Sequence, residues 1–204
     1  MLNIKEHLKS LTEAHAPSGY EAPIRAILRE AWQGYVDEFK TDKLGSLIGI
    51  KYATNPQNPP RKIMLAAHMD EIGMMVGGIV DGFIRIHRIS GVDNRLLPAQ
   101  SVMVHGKQPL RGLVATKPPH LLTEADRKNY AGFEELLIDV GLPPEQVNEL
   151  VTIGDLITMD APLYELNGKR LAGKAMDDRA CVAIVTYALD MLAGMAHAWD
   201  VYAV

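Results

Sequence analysis

Near the N-terminus apolar positions fall at helical intervals: Leu2, Ile4, Leu8 and Leu11 share one stripe, and the pattern breaks at Ala16-Pro17-Ser18-Gly19. A second helix is predicted beyond the break. Ser18 and Glu21 have the S-x-x-E spacing of a capping box, and Ile24, Ile27, Leu28, Ala31 and Trp32 then line one face. From Val36 the period changes. Residues 42–45 read as a turn and 46–52 as a strand, while Asn55-Pro56-Gln57-Asn58-Pro59-Pro60 can only be loop. Ile63-Met64-Leu65-Ala66-Ala67 is a continuous apolar run, the pattern of a strand buried on both faces, and it ends in His68-Met69-Asp70-Glu71.

The texture between Gly73 and Pro162 differs. Short β-type runs at residues 83–88, 101–105 and 112–116 are separated by Gly, Pro and Asn, which suggests a small β-barrel or sandwich. A helical piece around 123–130 and an acidic amphipathic piece near 144–150 interrupt it. After Gly168 the α/β texture returns, with an apolar helix over about 180–192. The first texture brackets the second. The fold class expected is therefore α/β: a discontinuous lobe, residues 1–72 and 163–204, with a β-rich domain inserted at 73–162.

Composition narrows the function classes. The 204 residues carry a formal net charge of −4 and are 48% hydrophobic, which fits a globular protein with a real core and argues against nucleic acid as the main partner. The single cysteine, Cys181, excludes an intramolecular disulfide and a Cys-based zinc cluster and suits a reducing compartment. The N-terminus is charged too early for a signal peptide, and the apolar run at 180–189 is too short to span a bilayer. A cytoplasmic protein with no membrane partner is expected.

Two polar clusters could carry chemistry. His68 and Asp70 form an H-x-D pair just past a buried strand, and alternation along an extended segment puts both side chains on one side. An imidazole suits a borderline metal, and a carboxylate can hold its tautomer through the other ring nitrogen. A capped strand end with a surface histidine accounts for the pair equally well. Asp177-Asp178 precede an apolar helix, where two carboxylates either cap the helix and favour its dipole, or bridge a pair of divalent cations. His87, His105 and His197 are isolated and read as packing or surface residues, His120 as structural, and Cys181 as a buried small hydrophobe.

In combination these segments are specific. Ala16-Pro17-Ser18-Gly19-Tyr20-Glu21, Leu65-Ala66-Ala67-His68-Met69-Asp70-Glu71-Ile72-Gly73, Lys117-Pro118-Pro119-His120 and Gly173-Lys174-Ala175-Met176-Asp177-Asp178-Arg179-Ala180 occur in the order found in one family. The chain resembles the M42 dinuclear metallo-aminopeptidases, which include glutamyl and deblocking aminopeptidases and proteins once labelled endoglucanase M. The resemblance extends over the whole chain.

The resemblance implies a three-layer aminopeptidase-type lobe with an inserted dimerisation domain, members that build larger assemblies, and peptide substrates. It implies that His68 ligates one metal, Asp70 orients that histidine from behind, and Asp177 bridges two Zn2+ or Co2+ ions. Asp178 would follow a cis peptide bond and Arg179 would support the turn into the helix. The family's general-base glutamate and further ligands follow a core strand that corresponds to residues 200–204, and the sequence stops at Val204. The expectation is an N-terminal portion that binds metal weakly and lacks activity alone, since a catalytic zinc takes three protein ligands and a water. The alternative is a non-catalytic fragment that uses the β-rich insert to assemble with itself or a partner. A glycosidase would need two carboxylates spaced for acid and base work, and would leave His68 unexplained.

Overall fold

The computed structural model describes residues 2–121, 123–124 and 129–204, and the chain divides into two units, Met1–Glu71 with Pro162–Val204, and Ile72–Ala161. The helical piece expected around 123–130 falls across residues outside the described set.

In the first unit, α1 (Ile4–Glu13) starts at Asn3, whose side chain accepts the Glu6 N–H, and α2 (Ala22–Trp32) starts with Pro23 in its first turn. The expected capping box at Ser18 and Glu21 does not form. Glu21 instead accepts the Gly19 N–H at 2.6 Å, and the Ser18 hydroxyl donates to Asp70, 52 residues away. Proline at the helix start, which has no N–H to cap, removes part of the need. Four strands, β1 (Glu38–Thr41), β2 (Leu47–Lys51), β3 (Arg61–Leu65) and β12 (Trp199–Ala203), form a sheet in the order β1-β2-β12-β3. β12 is interior, antiparallel to β2 and parallel to β3.

The unit also holds a hairpin, β10 (Tyr164–Leu166) with β11 (Arg170–Ala172), and α4 (Met176–Leu192). Asp177 and Asp178 depart from helical angles, so the regular turns of α4 follow them. Leu47, Val201 and Ala203 pack with Leu11, Leu28, Trp32, Val182 and Leu189 into one core. Each such side chain contributes about 1.5–3 kcal/mol by leaving water. Inside it the Thr186 hydroxyl donates to the Val182 carbonyl at 3.1 Å, accepts from the Trp32 indole at 2.8 Å and lies 3.0 Å from His7 Nε2. One hydroxyl thus joins α1, α2 and α4.

β3 corrects an expectation. Its apolar run reads as buried on both faces, yet Ile63 and Met64 are 40% and 64% exposed, because β3 is an edge strand that, among the described residues, has a neighbour on one side, β12.

The second unit is a closed six-stranded antiparallel barrel, in the order β4-β5-β8-β7-β6-β9, from β4 (Met74–Val80), β5 (Phe83–Arg88), β6 (Ser101–His105), β7 (Pro109–Ala115), β8 (Leu137–Asp139) and β9 (Leu156–Met159). Alternation fills it: Ile84 and Ile86 of β5 and Val102 and Val104 of β6 are buried, together with Val147 from α3 (Pro144–Leu150). The register of β4 against β5 shifts between Val76 and Gly78. Gly77 sits at that irregularity, and a Cβ there would lie 2.3 Å from His87 Cδ2, so the His87 ring occupies the space a side chain would need. Among the described residues no helix is long and apolar enough to cross a membrane.

Candidate functional site

Backbone pairing sets the position of His68. The Val204 N–H donates to the Leu65 carbonyl at 2.8 Å and the Ala67 N–H to the Val204 carbonyl at 3.0 Å, so the chain stays extended past β3. His68 and Asp70 then share a side: Nδ1 of the imidazole lies 2.8 Å from Asp70 Oδ1. The other Asp70 oxygen accepts from Ser18. On the far side of the ring, Nε2 lies 3.2 Å from Asp177 Oδ1, so residues 109 apart in sequence meet. The Asp177 side chain is 97% exposed and remains open to a ligand.

Asp177 is aimed by an irregular turn rather than a helix. Ala175 lies in the left-handed region at φ 53°, a conformation that costs a non-glycine residue about 1–2 kcal/mol, and the Asp177-Asp178 peptide is cis. Arg179, fully buried, locks this turn to the N-terminal segment. Its Nε donates to the Met69 carbonyl at 2.8 Å, Nη1 to Leu11 and Ala14 at 2.7 Å each, and Nη2 to Ala16 at 3.3 Å.

Partial burial pulls the His68 pKa down, but hydrogen bonds to Asp70 and then to Asp177 outweigh it, and the net shift is upward. The cause is geometric. An imidazole nitrogen that faces a carboxylate oxygen at 3.2 Å needs either a proton or a cation between them. If a cation takes that place, Asp70 keeps the Nδ1 proton and the Nε2 lone pair is presented outward.

Imidazole and carboxylate suit zinc or cobalt, and two ligand atoms bound to one ion at about 2.0–2.2 Å stand roughly 3.3–3.6 Å apart. The observed separation is close to that. Among the described residues, no group of three or more His, Cys, Asp or Glu side chains is placed to hold a metal ion. These donors therefore fit one share of a metal centre, not a complete one. A cleft of about 500 Å3 opens beside them, bounded by His68, Asp70 and Asp178 and by the apolar side chains of Trp32, Leu44 and Val182.

The remaining candidates fall elsewhere. Cys181 is exposed on α4, not a buried hydrophobe, because its position lies off the packed stripe of Val182, Val185 and Leu189; a hydrogen bond to Asp178 pushes its thiol pKa up. His105 bonds Thr158 at 2.9 Å, His197 donates to the Trp199 carbonyl at 3.0 Å, and His87 packs over Gly77. His120 lies exposed in a short 3-10 turn of the barrel unit. Sequence reasoning missed Ser18 as a partner of Asp70, although its Ala-Pro-Ser-Gly segment is one of those that carry the resemblance. It also missed Lys174, which pairs with Glu71 in the interior.

Comparison with known proteins gives a consistent result. A family model described as M42 glutamyl aminopeptidase matches residues 45–204. Lysyl aminopeptidase of Pyrococcus furiosus is 34% identical over 98% of this chain and 57% of its own length. The solved TET aminopeptidase of Thaumarchaeota archaeon SCGC AB-539-E09 is 33% identical with a TM-score of 0.90, over 99% of this chain and 58% of that one. The TET1 peptidase of Pyrococcus horikoshii, described as able to assemble into a tetrahedron or a large octahedral shell, is 32% identical with a TM-score of 0.83, over 98% and 60%. The chain spans somewhat more than half the length of these relatives.

Proposed function

The chain belongs to the M42 glutamyl aminopeptidase family, and we propose that it carries the N-terminal share of a metal-dependent aminopeptidase that removes N-terminal residues from peptides. The observation that supports this reading most is the line Asp70–His68–Asp177. A carboxylate behind the imidazole and an exposed carboxylate in front of it are what a ligating histidine beside a bridging aspartate requires. His68 would hold one of two Zn2+ or Co2+ ions and Asp177 would bridge both, with Asp178 and Arg179 fixing the turn. When bound, such a pair supplies Lewis acidity at the scissile carbonyl. The chain's own contribution is orientation: Ser18 holds Asp70, Asp70 holds the proton on Nδ1, and Nε2 is directed at Asp177.

The barrel unit would serve self-association, in keeping with the assembly described for the TET1 relative. The lone cysteine supports a cytoplasmic setting. With two metal ligands identified where a catalytic zinc takes three, the 204-residue chain by itself would bind metal weakly and show no peptidase activity. Titration with Zn2+ or Co2+, paired with an aminoacyl reporter and with His68→Ala as control, tests the reading. Uptake of metal that depends on His68 supports it. Metal uptake indifferent to His68 and Asp177 refutes the site, and turnover at an ordinary enzymatic rate refutes the inactivity of the chain alone.

A further inference from the structure

On the same segments as His68 and Asp177 lies a buried charge pair that the proposed chemistry does not use. The Lys174 ammonium donates to both Glu71 oxygens, at 3.1 and 2.8 Å, with the two side chains 7% and 2% exposed. Glu71 Oε1 also accepts the Ala16 N–H at 3.0 Å, and the Ala14 carbonyl lies 3.3 Å from the Lys174 ammonium. The Arg179 guanidinium stands 3.9 Å from Glu71.

The placement of these groups in the chain is what matters. Glu71 follows Asp70 directly and lies three residues after His68; Lys174 lies three before Asp177; Ala14 and Ala16 lead into Ser18, the partner of Asp70. The pair therefore ties together the three segments that supply the site. Buried ion pairs contribute little net stability, because desolvation offsets the attraction, while a single geometry satisfies both partners. One such pair at this junction fixes separation more than it adds stability.

We propose that Glu71 and Lys174 are positioning residues: their buried ion pair sets the distance between His68 and Asp177. The proposal rests on the reading of those two as metal ligands for its function, though not for its geometry.

The test uses Glu71→Gln, Lys174→Met and the double variant in the 204-residue chain, with Leu97→Ala in the barrel as a destabilised control. Three signals are read: thermal stability, the ring nitrogen shifts of His68 by 15N NMR without metal, and Co2+ affinity by chelator competition. Glu71→Gln strips the buried Lys174 ammonium of its carboxylate, and Lys174→Met leaves the buried Glu71 carboxylate with the more distant Arg179 guanidinium; each is expected to lose stability, to move the His68 shifts and to weaken Co2+ binding about 10–100-fold. The double variant removes both members of the pair and leaves the Arg179 guanidinium, which keeps its backbone carbonyl acceptors, so its thermal stability is expected to return part of the way toward that of the parent while the His68 shifts and Co2+ affinity stay altered. Leu97→Ala is expected to change stability alone. A double variant in which the His68 shifts return with stability, or single variants that leave those shifts unmoved, would overturn the proposal. Co2+ uptake equal in the parent and in His68→Ala would instead overturn the metal reading, and the NMR shifts would still decide the positioning role.

Discussion

His68 Nε2 lies 3.2 Å from an Asp177 oxygen, across a sequence separation of 109 residues. The contact joins an extended segment beyond a sheet edge to an irregular turn before a helix, and the two are brought together by buried polar bonds rather than by their own side chains. The consequences can be measured.

Replacing Asp70 by Asn removes the carboxylate that holds the Nδ1 proton but keeps the shape. Co2+ affinity is expected to fall about 10–100-fold, with little change in thermal stability because His68 is more than half exposed. His68→Ala and Asp177→Ala are expected to abolish the His68-dependent binding. Isothermal titration reads all three, and an Asp70→Asn chain with parental affinity would show that the carboxylate does not support the imidazole.

Arg179→Met removes four backbone-carbonyl partners from a fully buried position. Carbonyls that lose this donor, of which Ala14 and Ala16 keep another, and the loss of the charge beside Glu71 are expected to cost about 3–5 kcal/mol. Urea unfolding followed by tryptophan fluorescence checks this through Trp32, which shares the same core. A loss below about 1 kcal/mol would mean that water or a shifted backbone replaces the guanidinium.

Burial of His7 beside Thr186 lowers its pKa. The unfolded chain then takes up the proton first as pH falls, so stability is expected to be full above the ordinary imidazole value near 6.5 and to decline below it. His7→Gln keeps a polar contact to Thr186 without titrating. The stability difference between the parent and this variant should favour the parent more at pH 7.5 than at pH 5. A difference independent of pH would show that His7 is not held neutral.

In the barrel, a Cβ at Gly77 meets the His87 ring at 2.3 Å. Gly77→Ala is expected to destabilise that unit by about 1–3 kcal/mol through overpacking, and His87→Ala in the same chain should restore most of the loss. Hydrogen exchange of β4 and β5 amides reports it. Equal losses in the single and double variants would trace the effect to the β4 backbone.

The parts of this structure legible in the sequence are those whose causes are local. β5, β6 and the buried half of α2 follow from alternation or helical spacing, because each burial stripe is written within a few residues. Ser18 misleads for the opposite reason. Its spacing to Glu21 is that of a cap, but the acceptor that claims its hydroxyl is Asp70, and no local pattern reveals a partner 52 residues away. β3 has the composition of an interior strand and stands at an edge, since composition records apolarity and not what lies alongside. Asp177 and His68 were linked through a family resemblance, not through spacing. Lys174 lies in one of the segments that carry the resemblance, yet nothing in its spacing points to Glu71, 103 residues away.

The closed barrel has a consequence for how another chain could add to it. Among the described residues each strand of the ring already pairs with a neighbour on both sides, so no strand stands as a free edge to which a foreign strand could add along its length. Any association through that unit would run through side chains and connecting loops. Single substitutions on the outer surface can then alter such contacts without disturbing the ring beneath.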